Sequence, residues 1–117
     1  MTNKDARLFK EVLVCINDHL NDTQFSVETI CTQVGLSERQ LQRKLKGMTG
    51  KTPNQIIRSV RLERAKMMLL EQPDNIADIA VQTGFFSPSY FSKCFKQKFG
   101  VSPSQFVQQQ DYPSEML

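Results

Sequence analysis

The sequence is poor in the residues that carry most enzyme chemistry. His19 is its one histidine, its three cysteines (Cys15, Cys31 and Cys94) stand far apart, and its five glycines never cluster. No nucleophile is paired with a base, no Gly-rich segment cradles a phosphate, and the acids are scattered, so an enzyme and a bound cofactor are not expected. Three cysteines without a CxxC spacing argue against a disulfide framework or a zinc site, so no metal is expected and a reducing cytoplasm fits better. No apolar run approaches the ~18–20 residues that span a bilayer, and no secretory signal is expected ahead of the first charges, although a membrane-anchored full-length parent stays open. What is present is an ordinary soluble composition, 39% hydrophobic and 23% charged over 117 residues. That length suits one domain, or two small subdomains sharing a core.

Charge is modest in sum, +3, but unevenly placed. Ser37 to Lys51 holds Arg39, Arg43, Lys44, Lys46 and Lys51 against Glu38 alone, and Ser87 to Phe99 holds Lys93, Lys96 and Lys98 with no acid. Both ends of the chain lean acidic. Two basic patches on a nearly neutral body suggest a polyanionic partner, nucleic acid before membrane; the plain alternative is a pair of solvated helix faces.

The chain also repeats itself. "SVETICTQVG" (Ser26 to Gly35) aligns with "NIADIAVQTG" (Asn75 to Gly84), pairing Val27 with Ile76, Ile30 with Ile79, Cys31 with Ala80 and Gly35 with Gly84. "SERQLQRKLKGMTGKTPNQII" from Ser37 aligns with "SPSYFSKCFKQKFGVSPSQFV" from Ser87, pairing Leu41 with Phe91, Leu45 with Phe95, Gly50 with Gly100 and Pro53 with Pro103. Between the two alignments the second copy gains one residue, "GFFS" against "GLS", and Phe86 is that insertion. Each copy reads as a short helix, a glycine that ends it, and a second helix opened by Ser37 or Ser87. Pro88 sits at the first position of its helix, where a missing N–H costs nothing. Each copy is therefore a helix-turn-helix.

Two further helices are expected. Asp5 to Leu20 carries Leu8, Val12, Ile16 and Leu20 at four-residue spacing, and Pro53 to Glu71 carries Ile56, Val60, Ala65 and Leu69. The second would extend about 28 Å, approaching the roughly 34 Å of one B-DNA turn. The expected class is all-α, about seven helices, in two helix-turn-helix subdomains joined by a long linker helix. The divisions are 5–52, a linker over 53–72, a second subdomain over 73–110, and a disordered tail over 111–117.

A helical wheel separates core from surface in both second helices. Leu41, Leu45 and Met48 share one side, opposite Arg39, Gln42, Arg43 and Lys46; Phe91, Phe95 and Phe99 share one side, opposite Ser89, Ser92, Lys93 and Lys96. Arginine can bond guanine bidentately, glutamine adenine, and serine several bases. Arg39, Gln42, Arg43, Ser89, Ser92 and Lys93 are thus the candidate base readers. Ser37, Lys46, Arg58, Arg61, Ser87 and Lys96 are the candidate phosphate contacts, which set register without reading sequence. Arg58 and Arg61 could equally form pairs along their own helix. The aromatics of Gly84 to Phe95 follow core phase, which disfavours a stacking platform for single strands. His19 reads as a surface residue, and Met67 to Leu70 as core and helix end.

The stretch "IADIAVQTGFFSPSYFSKCFKQKFGVSPSQF" closely resembles the signature of the AraC/XylS family of bacterial transcription regulators, and "SVETICTQVGLSERQLQRKLKGMTGKTPNQIIRSVRLERA" looks like its first helix-turn-helix and linker. The resemblance implies a bilobed seven-helix domain that binds double-stranded DNA sequence-specifically. Its third and sixth helices would enter adjacent major grooves, and the six base readers above match the family's contacting positions. Gln105-Phe106-Val107 departs from a frequent aromatic-arginine pair, leaving a terminal phosphate contact unassigned, and Pro88 is less usual at its position. "RQLQRKLKGMTGKTP" and "SPSYFSKCFKQKFG" are similar to output domains of hybrid two-component regulators. That implies an upstream sensor, receiver or dimerisation domain in the full-length protein, RNA polymerase as a further partner, and an isolated domain that is monomeric. A short standalone regulator is the alternative origin. The alternative function is a protein-interaction module that docks on polymerase or a receiver domain through its basic faces.

Overall fold

A computed structural model describes residues 2–110; the tail expected over 111–117 lies outside the described residues. Among them the chain forms seven helices and no strand: α1 (Asn3–Asp18), α2 (Val27–Val34), α3 (Glu38–Thr49), α4 (Pro53–Glu71), α5 (Ile76–Gln82), α6 (Pro88–Phe99) and α7 (Pro103–Gln110). Contacts divide them into two compact units, Met1–Arg61 and Leu62–Leu117. The division falls inside α4, so residues assigned from sequence to a linker supply core to both units.

The helix starts repeat one local device. In α3 the Gln40 N–H donates to Ser37 Oγ at 3.1 Å, and the Ser37 N–H donates to Gln40 Oε1 at 3.0 Å. Thr52 with Gln55 does the same before α4, at 3.2 and 2.9 Å, and Ser102 with Gln105 before α7, at 3.1 and 2.9 Å. Each box satisfies two backbone donors that the first helical turn leaves without partners. At α6 the Tyr90 N–H donates to Ser87 Oγ at 3.1 Å and Pro88 takes the first turn.

α1 differs from the expected Asp5 to Leu20. It begins at Asn3 because Thr2 caps it, its Oγ1 accepting from the Asp5 N–H at 3.0 Å. It stops at Asp18 because the His19 N–H turns back to the Ile16 carbonyl at 3.1 Å, and Asp22 N–H then bonds the His19 carbonyl at 3.1 Å. Two successive turns in an Asn/Asp-rich stretch outcompete another helical turn. His19 is more than a surface residue: its ring stacks on Phe25 at 5.1 Å and its Nδ1 lies 2.8 Å from the Cys15 carbonyl.

The first unit packs an aliphatic core. Val12, Ile16, Ile30, Leu41 and Leu45 are buried together, with Ile56 and Ile57 from α4 and Leu8, Val34, Leu36 and Met48 at the edge. The second unit fills the equivalent space with rings. Phe91 lies 5.1 Å from Phe85 and 5.7 Å from Phe95, while Phe95 lies 4.6 Å from Phe99 and 5.7 Å from Phe106. These tilted pairs set ring edges against ring faces, which adds about 0.5–1.5 kcal/mol each beyond area burial. Leu62, Ala65 and Leu69 of α4 close the cluster. Thr83 is the buried polar residue of this core, and its hydroxyl is satisfied by donating to the Ile79 carbonyl at 2.7 Å. The expectation that Met67 to Leu70 forms core holds for Leu69 and partly for Met68. Met67 and Leu70 are exposed, because only every third or fourth position of α4 faces inward.

Candidate nucleic-acid interface

α3 presents Arg39, Arg43 and Lys46 on one side because its apolar residues recur at four-residue spacing, while Lys44 is half-buried on the flank. Leu41 and Leu45 are fully buried, and Arg39, Gln42, Arg43 and Lys46 are all exposed on the opposite side. Glu38 is the one acid of the helix, in its first turn, where the helix dipole favours it. Glu38 and Glu28 also act on Cys31, whose thiol is pushed up in pKa by burial first and by these two carboxylates next. An open cleft beside α3 is lined by Asp5, Arg43, Lys44, Gly47 and Met48, and this set holds no nucleophile with a base.

α6 repeats the arrangement in the second unit. Phe91 and Phe95 are fully buried and Cys94 nearly so, while Ser89, Lys93 and Lys96 are exposed and Ser92 is half-buried. Lys98, outside this face, forms an ion pair with Glu63 at 3.6 Å and lies over the Phe99 ring at 5.6 Å. Its charge is therefore partly spent inside the unit, and Lys93 and Lys96 carry the positive face.

Ser37 and Ser87 sit at the tips of these helices with their Oγ atoms already accepting cap bonds. Each hydroxyl hydrogen is left to donate outward, so a capping serine can bond a phosphate as well. Arg58 is half-buried on α4. Arg61 is placed differently from the other cations. Its Nη2 donates to the Asp22 carbonyl at 3.4 Å, and its guanidinium lies 5.9 Å from the Phe25 ring centroid. Burial lowers its pKa from the ordinary arginine range, with the Asp22 charge acting the other way. Arg61 thus ties the α1–α2 loop to α4 within the first unit.

Two surface residues of this region escape a wheel built on polar residues. Tyr90 is 44% exposed on the flank of the α6 face, its ring 6.1 Å from that of Phe85, and Phe86 is 92% exposed in the preceding turn. The sequence signal for Phe86 was the one-residue insertion itself.

Comparison with known proteins identifies the family and the fold. A family model described as a helix-turn-helix domain matches residues 30–109. The chain is 40% identical over 102 residues to histidine kinase P4 of Formosa agariphila, covering 87% of this chain and 7% of that protein. It is 36% identical over 110 residues to the HTH-type transcriptional activator RhaS of Klebsiella pneumoniae, covering 94% of this chain and 39% of the activator. The crystal structure of a transcriptional regulator of AraC type from Chromobacterium violaceum superposes with a TM-score of 0.86 at 26% identity, over 97% of this chain and all of that one (100%). Matched by the family model over residues 30–109 and by the AraC-type structure over most of its length, the chain belongs to the AraC/XylS family of helix-turn-helix DNA-binding domains.

Proposed function

We propose that the chain is the sequence-reading domain of a bacterial transcription regulator, with α3 and α6 entering adjacent major grooves of one duplex. The observation that carries the proposal is the duplicated surface. Two helices of equal length each set exposed Arg, Gln, Ser or Lys residues opposite a wholly buried pair of core residues. The family is one of DNA-binding regulators, not of enzymes.

In the first unit Arg39, Gln42 and Arg43 read base edges, because long planar side chains bond guanine or adenine through two atoms at once. In the second, Ser89, Ser92 and Lys93 have shorter reach, and half-buried Ser92 is held close to the helix. That unit reads more through water and groove shape. Lys46, Lys96 and Arg58 neutralise phosphates, and Ser37 and Ser87 donate to them from the helix tips. Arg61 serves by holding the α1–α2 loop in place. The likeness to a protein named a histidine kinase, of which this chain matches 7%, supports an output role in a two-component protein with sensor and receiver domains. RNA polymerase is the further partner of such a role, and the cytoplasm its compartment. No described helix is long and apolar enough to cross a membrane.

Selection of bound sites from random duplex DNA, followed by footprinting, tests the proposal. Two protected major-groove segments about 10 bp apart are expected; one segment at all concentrations would sink the two-groove reading. Arg43→Ala should lose roughly 1–3 kcal/mol on the selected site and relax preference at one base pair, whereas Lys46→Ala should weaken all sequences alike. Equal losses for Arg43→Ala on selected and random duplexes would refute its reading role. Salt-sensitive binding with no preference among sequences would instead favour a protein-docking module.

A further inference from the structure

Phe86 is the most exposed large apolar side chain among the described residues, at 92%. The fold does not call for it. The Phe85 N–H bonds the Ala80 carbonyl at 2.9 Å, as the Leu36 N–H bonds the Cys31 carbonyl at 3.2 Å in the first copy. Phe85 also fills the core, 5% exposed, so Phe85 holds the place of Leu36 and Phe86 is surplus to the duplicated plan. An aromatic ring in water gains free energy from any apolar surface that covers it.

Its position narrows what that surface is. Phe86 directly precedes Ser87, the N-cap of α6, and N-terminal residues of a reading helix are those that meet base edges. Tyr90, one turn along, is 44% exposed and leans on Phe85. The helix behind them has no acid in its first turn and carries exposed Lys93 and Lys96. An apolar tip on a cationic helix matches a surface that is apolar locally and polyanionic around. In the major groove that surface is the thymine methyl, which no other base presents.

We infer that Phe86 is a specificity-determining residue that packs on the 5-methyl group of a thymine in the groove entered by α6. The inference rests on the DNA-reading function proposed above. It supplies discrimination that the short side chains of Ser89 and Ser92 lack, since serine bonds several bases alike. Removing the methyl leaves every hydrogen-bonding group of the base pair in place, so the contact can be tested in isolation.

The test uses the full chain and a duplex selected from a random pool, with each thymine replaced singly by deoxyuridine. Wild type should bind about fourfold more weakly at one thymine, the value of one buried methyl. Phe86→Ser should bind the thymine duplex weaker by a similar factor and show no thymine–uracil difference there, while Phe86→Leu keeps part of it. Because the side chain is exposed, the melting temperature of both variants should match wild type. Wild type indifferent at every thymine, or Phe86→Ser retaining the full penalty, overturns the inference and leaves the tip to a protein partner. Failure to enrich any duplex would sink the DNA-reading function, and this contact with it; enrichment without methyl dependence sinks this contact alone.

Discussion

Alanine at two glycines of the first unit should change stability in opposite directions. Gly35 ends α2 at φ 73° and ψ 30°, in the left-handed region, with its N–H on the Cys31 carbonyl at 2.9 Å. Gly47 lies inside α3. A Cβ added at either position meets nothing within 4 Å, so neither substitution adds a packing term and backbone conformation alone decides the sign. At Gly35 a side chain in the left-handed region costs about 1–2 kcal/mol. A stiffer unfolded chain returns about 0.4–1 kcal/mol, leaving a net loss near 1 kcal/mol. At Gly47 the helix has no such cost, and Gly47→Ala should stabilise by about 0.5–1 kcal/mol. The two variants should therefore differ by roughly 1.5–2 kcal/mol, or on the order of 10 °C in the melting temperature of so small a unit. Far-UV circular dichroism during heating and in urea reads both. Two variants that move stability in the same direction would refute the reasoning, because the shared absence of contacts would no longer isolate the backbone.

Two other outcomes follow from packing and charge. Phe95→Ala removes a fully buried ring that touches Phe91, Phe99 and Phe106. It should cost about 3–5 kcal/mol, visible in denaturant unfolding, while a loss below ~1 kcal/mol would show that the ring cluster is not the core. Arg61→Ala should lower the melting temperature of the first unit, since that side chain packs on Phe25 and bonds Asp22. Arg58→Ala should leave the melt unchanged and reduce the salt dependence of duplex binding by about one ion. The reverse pattern would exchange their roles.

Much of this was legible in the sequence because the signals are local. A serine or threonine three residues before a glutamine at a helix start favours a hydrogen-bonded box, and such boxes form at Ser37, Thr52 and Ser102. The apolar period likewise placed Leu41, Leu45, Phe91 and Phe95 in the two cores. What escaped depends on distant partners. Arg61 acquires its role from the Asp22 carbonyl, 39 positions away in the chain, which no helical period encodes. His19, at the C-cap of α1, stacks on Phe25, six positions on and past the next turn. Met67 and Leu70 are a local exception: they read as core by hydrophobicity, but their phase on α4 turns them outward.

The position of Gln40 in the first copy, and of Tyr90 in the second, shows how one frame came to carry two surfaces. Gln40 turns its amide back to Ser37, closing the box and tying the side chain to the helix end. Tyrosine has no carbonyl oxygen to return that bond. At Tyr90 the ring lies against Phe85 instead, and Pro88 supplies the preset first turn. The loss of the glutamine therefore leaves α6 capped while converting the flank of its tip from amide to aromatic. The inserted Phe86 extends the same apolar character to an exposed residue before the cap, where the first copy has the half-buried Leu36 packed on its core. The two changes reinforce one chemistry at one end of one helix. On the DNA-reading function proposed above, arginine and glutamine would recognise hydrogen-bonding edges and an aromatic tip beside serines the apolar feature those edges lack, so the two units would read different features in adjacent major grooves.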